Sequence, residues 1–386
     1  VIAGLTRLRA LLVRTGFALG RLRPVSRRVV LATAHADRLG GNLVEIRDGL
    51  ARRAPDVPVQ ILARQARAGW RGLARQALDS VVAGWHLATA RLFIVDDHYF
   101  PMSAIRPRPD TIRVQAWHAC GAFKKFGYSV LDKGFGADEG AVAAVPIHAN
   151  YDLCLVSAAR FVPAYAEAFR QPPERFTARL GIPRTDLFFD APRREAATAA
   201  VRARYPLPAG ARVVLYAPTF RGARTTAARS PGDLDLRLLR DSLGDDHVVL
   251  LRAHPFVSAR LRPGRDLGSF AIDVSDWPEL NELMLVSDVL LTDYSSAIYE
   301  FALLARPMAF FAPDHAAYEA ERGFYLDFPA DLPGPVLETS DAVAAFLRAG
   351  RFDLDRVRRF GADSFDVADG RATERFIDEV VLPAVR

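Results

Sequence analysis

The chain has 386 residues, half of them hydrophobic and a quarter charged, an ordinary globular composition that excludes wholesale disorder. At about 150 residues per domain that is roughly two to three domains. Two cysteines exclude a disulfide framework and argue against a cysteine-rich structural zinc site. The formal net charge of +6 is gathered at one end. Arg7, Arg9, Arg14, Arg21, Arg23, Arg27 and Arg28 fall within residues 1–36 with no acid among them, so the body that follows is nearly neutral. A neutral body with one basic arm fits an anionic surface better than a nucleic acid.

The first predicted element is a helix within residues 1–27. Leu5, Leu8, Leu12, Leu19 and Leu22 recur at helical spacing, and Arg7, Arg14 and Arg21 stand a heptad apart. An apolar stripe beside an arginine stripe suits either a helix lying in a lipid headgroup layer or one packed on the body with solvated arginines. No apolar run is long enough to span a bilayer, and nothing resembles a signal peptide with a cleavage site.

From Arg28 onward short β-branched runs alternate with helical patterns. Strands are predicted at Val29–Thr33, Val59–Leu62, Leu92–Val95, Arg113–Trp117 and Leu153–Val156. A second series follows at Val213–Tyr216, His247–Leu251, Phe270–Asp273, Val289–Thr292 and Met308–Phe311. Helical patterns lie between them, among them Leu43–Arg53, Val162–Phe169 and Asp341–Ala349. Such alternation argues for parallel sheets built from βαβ units. The stretch Asp190–Gly210, rich in proline, arginine and alanine, reads as a linker. The economical architecture is α/β: two doubly wound domains, about 28–190 and 211–365, with a helical tail at 366–386 placed to cross back onto the first.

In open parallel sheets, ligands bind beyond the carboxyl ends of the strands. Polar residues gather at five such ends. They are Asp96-Asp97-His98, His118 to Lys125, Thr219-Phe220-Arg221, Arg252-Ala253-His254 and Thr292-Asp293-Tyr294-Ser295-Ser296. They come from both domains, which points to a cleft between the two sheets. Each signal alone is weak. The serines are either plain N-caps or hydroxyl donors for a phosphate at a helix N-terminus. Lys124 and Lys125, with Lys133, are the only lysines among 51 basic residues, which suggests a specific anion contact. No metal site, Walker loop, dinucleotide fingerprint or nucleophile elbow is present, so no cofactor is expected.

In combination these segments resemble the CDP-glycerol glycerophosphotransferase family of teichoic acid synthesis. The resemblance runs from Ala88 to Asp97 through Gln115-Ala116-Trp117-His118, Leu215 to Arg221, Leu251 to Pro255, and Ser287 to Ser296 followed by Arg306-Pro307. It closes at Phe324 to Phe328 and Pro333-Gly334-Pro335, and covers about residues 28–370. It implies a GT-B-like fold of two Rossmann-like domains, the first on the acceptor side and the second binding CDP-glycerol. It also implies a peripheral enzyme on the cytoplasmic face of the cell membrane. Where many family polymerases carry Trp-His-Gly-Thr-Pro, this chain has Trp117-His118-Ala119-Cys120-Gly121. The continuation Gly121-Ala122-Phe123-Lys124-Lys125-Phe126-Gly127 looks closer to the priming transferases, as does the short length. Primase or polymerase, and glycerol or ribitol, stay open, as does a homo-oligomer.

The reaction so implied is attack of an acceptor hydroxyl, on a lipid-linked disaccharide, at the β-phosphorus of CDP-glycerol with release of CMP. His118 is the expected general base, and His254 an acid or phosphate ligand. Ser295, Ser296 and Thr292 are expected phosphate contacts, with Thr219 beside them and Arg221 or Lys124 as the cation. Asp293 either orders its loop or binds the glycerol hydroxyls. Glu300 either reaches the ribose or faces solvent. A nucleotide-sugar glycosyltransferase of the same architecture and a non-catalytic membrane scaffold are the rival readings. A nucleic-acid binder is the weakest, because the body is neutral and lacks a readout motif.

Overall fold

The computed structural model describes residues 2–65, 69–133, 138–222, 234–253 and 263–386. Among these residues the fold rests on two sheets of six strands each, every strand pairing within them parallel. The chain divides into two compact units. The first comprises Val1–His118, Phe126–Asp186 and Phe365–Arg386, and the second Ala119–Lys125 and Leu187–Ser364.

In the first unit β1 (Ser26–Thr33), β2 (Val59–Ala63), β3 (Ala90–Val95), β4 (Ile112–Gln115), β5 (Leu153–Leu155) and β6 (Phe176–Thr177) lie in the order β2-β1-β3-β4-β5-β6. Parallel strands covered on both faces need continuous apolar runs, which Val29 to Ala32 and Leu92 to Val95 supply; all eight are buried. Each such Val, Leu, Ile or Phe side chain contributes about 1.5–3 kcal/mol when fully buried. The chain leaves β1 toward β2 on one side, then returns to β3 on the other. That reversal is a topological switch point, where the loops after β1 and β3 part and leave room for a ligand.

In the second unit β7 (Arg212–Tyr216), β8 (His247–Leu251), β9 (Ala271–Asp273), β10 (Val289–Thr292), β11 (Met308–Phe311) and β12 (Val336–Leu337) run β12-β11-β10-β7-β8-β9. The switch point here falls between β7 and β10. Val214, Leu239, Val249, Leu291 and Leu347 belong to its core.

The N-terminal segment is a helix, α1 (Ile2–Gly20), within the first unit. It packs on α3 (Trp70–Thr89) through Ala10, Val13, Gly16, Phe17 and Gly20. The approach is so close that a Cβ on Gly16 would stand 1.9 Å from the Val81 carbonyl oxygen, and one on Gly84 2.0 Å from that of Val13. Glycine is therefore required at both crossings. The packed face is the small-residue face, and Leu5, Leu8, Leu11, Leu19 and Leu22 point outward. Among the described residues no helix is long and apolar enough to cross a membrane.

The stretch read as a linker is instead structured. Ala191–Arg204 is a helix of the second unit, capped by Asp190, whose carboxylate accepts from Arg193 N. Alanine and arginine are strong helix formers, and proline is tolerated in the first turn, so the composition that suggested a linker builds a helix. The tail, Phe365–Arg386, belongs to the first unit. Asp186 accepts from the backbone N–H groups of Ala372 and Thr373 at 2.9 and 2.8 Å, and Arg53 of α2 (Gly41–Arg53) pairs with Glu374 and Asp378.

Candidate active site

Three loops emerge side by side at the first switch point: Ala34-His35 after β1, Asp96-Asp97-His98 after β3, and Ala116-Trp117-His118 after β4. Gln115 stitches two of them. Its Nε2 donates to the Asp97 carbonyl at 3.0 Å, and its Oε1 accepts from Trp117 N at 2.9 Å. Asn42 of α2 donates to the carbonyls of both Ala116 and Trp117 at 2.8 Å. These bonds hold Trp117 in a left-handed conformation, φ 53°, which an indole side chain adopts only at a cost of roughly 1–3 kcal/mol. The turn aims the next residue, His118, outward.

The His118 side chain is half exposed, and its Nδ1 faces two acceptors, the Asp96 carbonyl at 3.2 Å and Asp97 Oδ2 at 3.4 Å. Two acceptors at Nδ1 assign the ring proton there and leave Nε2 free to take one. Asp97 is also bonded to His35 Nε2 and to the His98 amide. Burial works against the Asp97 charge, yet His118, the His35 bond and the His98 amide hold its carboxyl well below the usual carboxylate range. Burial likewise works to lower His35, but its bond to Asp97, with the Asp97 and Asp96 charges, raises it. The result is a fixed carboxylate between two imidazoles, an arrangement suited to orienting a general base.

At the second switch point, Asp293 follows β10 and Thr219 follows β7. Asp293 Oδ1 accepts from Thr219 N at 2.8 Å, Thr219 Oγ1 at 2.9 Å and Tyr294 N at 2.6 Å. Arg221 joins Asp293 at 2.9 Å and forms a two-pronged pair with Asp314, at 2.6 and 3.0 Å. Tyr294 stacks on Tyr318 at 3.9 Å between ring centroids, and its hydroxyl donates to Asp314 at 2.9 Å. Arg221 lies 5.1 Å from the Tyr294 ring and 5.0 Å from that of Tyr318.

Lys124 reaches this cluster from the segment that follows His118. Phe123–Lys125 pairs antiparallel with Gly323–Tyr325, and Lys124 Nζ lies 5.9 Å from the Tyr318 ring. The turn into the segment needs glycine at Gly121, where φ is 62° and a Cβ would stand 2.3 Å from Tyr299 Cζ. Lys124 has no carboxylate within ion-pair distance among the described residues. Burial first, then Arg322, push its ammonium down to about 7 against the pull of Asp293.

The expected site residues thus divide. His118 stands where a base is useful, and Lys124, Thr219, Arg221 and Asp293 converge with Tyr294. Arg221 is spent on two carboxylates, and Asp293 orders the loop. Thr292 is not a phosphate contact: it is fully buried, and its hydroxyl donates to the Ala217 carbonyl at 2.6 Å, tying β10 to the loop after β7. Ser295 Oγ accepts from Ala297 N at 3.2 Å, and Ser296 caps the helix Ala297–Ala302 without a side-chain bond. Glu300 faces inward and is 2% exposed, so it is no solvent-facing helix residue. His254 lies outside the described residues. Sequence reasoning passed over His35, Asp314 and Tyr318, although the first two follow β1 and β11 by the same strand-end rule. Among the described residues no cluster of three or more histidine, cysteine or acidic side chains is placed to hold a metal ion.

Two parallel six-stranded sheets, each with a polar cluster at its switch point, make this a GT-B-like α/β protein. Residues 17–382 match the family described as CDP-glycerol:poly(glycerophosphate) glycerophosphotransferase, and the chain belongs to that family. It is 37% identical over 363 residues to the teichoic acid ribitol-phosphate primase of Bacillus spizizenii, covering 93% of this chain and 92% of that protein. To the teichoic acid glycerol-phosphate primase of the same organism it is 30% identical over 302 residues, covering 77% and 76%. The wall teichoic acid polymerase TagF superposes with a TM-score of 0.77 at 22% identity, over 99% of this chain and 93% of that one, and so shares the fold.

Proposed function

We propose that the chain is a priming transferase of this family. It moves a polyol phosphate from a CDP-polyol, CDP-glycerol in the reading above, onto a hydroxyl of a lipid-linked disaccharide. The observation that carries this is the His118–Asp97 pair: a half-exposed imidazole whose Nδ1 is held by a carboxylate, leaving Nε2 to receive a proton. In the step, the acceptor oxygen bonds to the β-phosphorus, the bond to the CMP oxygen breaks, and the hydroxyl proton passes to His118 Nε2. Lys124, Ser295 and Ser296 are assigned to the donor's phosphates. Arg221 is a positioning residue for Asp293, and no metal is assigned to the step.

A second reading, ribitol phosphate in place of glycerol phosphate, is favoured by the higher identity to the ribitol-phosphate primase. Incubation with CDP-glycerol or CDP-ribitol and a lipid-linked disaccharide, followed by mass analysis of the lipid, decides between them. A single added unit supports priming and a ladder means polymerisation. No CMP from either donor overturns the proposal. The same reading places the enzyme peripherally on the cytoplasmic membrane face, held by the outward leucines and arginines of α1.

A further inference from the structure

The first unit holds a cavity of about 1540 Å³ to which nothing above gives a role. Its walls come from β2, α3, Arg9 of α1 and the loops after β1 and β3. Leu39, Ile61, Leu62, Leu78, Val82 and Phe100 give it apolar surface. Arg38, Arg47, Arg64, Arg71 and Arg75 border it, and among the described residues Asp37 and Asp79 are the acids against them. Arg47 pairs with Asp48, and Arg64 stands 3.9 Å from Asp79, which leaves the border basic.

Two polar atoms on the same wall are buried without a hydrogen-bond partner: Arg9 Nε and His98 Nε2. Such orphans are rare in folded proteins. The Arg9 guanidinium lies 4.3 Å over the Phe100 ring, so it is fixed in place. Burial pushes His98 down to about 4, so its ring stays neutral. His98 is also the residue after Asp97, which holds His118. One backbone step, about 3.8 Å between Cα atoms, therefore joins the wall of the cavity to the base.

We propose that this cavity seats the phosphorylated lipid of the acceptor, an anionic head joined to an apolar chain, with the head at Arg9 and His98. This rests on the reading that the acceptor is lipid-linked. Basic borders match the head, aliphatic walls match the chain, and the adjacent loop brings the attached sugar toward His118.

Calorimetry on the intact chain tests it with farnesyl diphosphate below its micellar concentration, inorganic pyrophosphate and farnesol. Farnesyl diphosphate should bind at least about tenfold more tightly than either fragment. Ala74 lines the cavity from an exposed position on α3, so Ala74→Trp should fill it without disturbing the core. That variant and the exposed pair Arg71→Glu with Arg75→Glu should each weaken binding at least about tenfold, with CMP affinity and circular dichroism unchanged. Pyrophosphate binding equally well would reduce the cavity to an anion site, and farnesol binding equally well to an apolar groove; either overturns the proposal. In turnover the same variants should raise KM for the lipid acceptor and spare KM for the CDP-polyol. If the reaction runs and the acceptor KM does not move, the cavity assignment fails alone. If no CDP-polyol yields CMP but farnesyl diphosphate still binds and the variants still weaken it, the proposed reaction fails and the lipid site stands.

Discussion

Asp97 Oδ2 lies 3.4 Å from His118 Nδ1 while the same carboxylate is bonded to His35 on its other side. A carboxylate so placed fixes the imidazole tautomer and favours the imidazolium that forms when a hydroxyl gives up its proton. Replacing it by an amide keeps the shape and removes the charge. Asp97→Asn is expected to lower kcat by roughly 100- to 10,000-fold, with little change in CDP-polyol binding. Single-turnover kinetics beside calorimetry check this, and a variant with ordinary turnover takes Asp97 out of the mechanism.

His118→Ala should give a loss in the same range, since it removes the group that Asp97 orients. Because the two residues act as a unit, the double variant should be little slower than His118→Ala alone. Additive losses would mean that Asp97 serves some other partner.

His35 and Asp97 also make stability depend on pH. A histidine raised on folding contributes stability below its unfolded value, about 6.5, and loses it as pH climbs through the folded value. A depressed carboxyl contributes above its unfolded value, about 3.9, and loses that as pH falls. Both contributions are present together between about pH 4 and 6.5. The gap in denaturation midpoint between the wild type and His35→Gln should therefore be widest there and narrow as pH climbs through the raised His35 value. A gap independent of pH would show that His35 acts by packing alone.

Arg221 is buried between Asp293 and Asp314, so its loss leaves two carboxylates facing each other. Breaking a buried pair in this way costs about 3–5 kcal/mol, and Arg221→Met should lose about that much in urea unfolding. Removing Asp314 as well, by Asp314→Asn, should return part of it. A loss below about 1 kcal/mol, the worth of a surface pair, would contradict the buried network.

Lys124 would give the proposed donor site its own pH response. Its ammonium is charged below about 7 and neutral above, so an anionic nucleotide should bind less tightly as pH rises through that value. CMP affinity measured from about pH 6 to 9 should fall in the wild type and stay nearly level in Lys124→Met. Parallel curves in the two proteins would assign the dependence elsewhere.

The strand-end rule finds His118, Thr219 and Asp293 in the sequence because apolar β-branched runs mark where each strand stops. Applied to β1 and β11 it also finds His35 and Asp314, so these were legible. Which hydroxyl is free was not. Thr292 and Ser295 look alike in a string of letters. Only the alignment of Leu291 with Tyr216 across β10 and β7 puts the Thr292 hydroxyl on the Ala217 carbonyl. Arg221 presents the same difficulty, since its partners stand 72 and 93 residues away in the chain. The α1 leucines were visible as a stripe, but period alone does not say which face packs. The glycines Gly16 and Gly20 decided it, by admitting α3 on the other side.

That division of α1 yields a membrane test that deletion cannot give. Removing the helix would uncover Gly84 and Ala88 of α3, which α1 covers closely, and would damage the body as well as any lipid contact. Leu5, Leu8 and Leu19 are each at least half exposed and lie off the packed face, so polar replacements there should leave the fold intact. Leu5→Gln, Leu8→Gln and Leu19→Gln together remove apolar surface worth about 25 cal/mol per Å² from any bilayer contact. The triple variant should float free of anionic vesicles at a lipid concentration that sediments the wild type. Wild-type binding should also weaken as salt rises, since screening shortens the reach of Arg7, Arg14 and Arg21. Activity on the lipid acceptor in vesicles should drop, while activity on a short-chain soluble analogue holds. A triple variant that unfolds at the wild-type temperature and still sediments with vesicles would remove α1 as the contact.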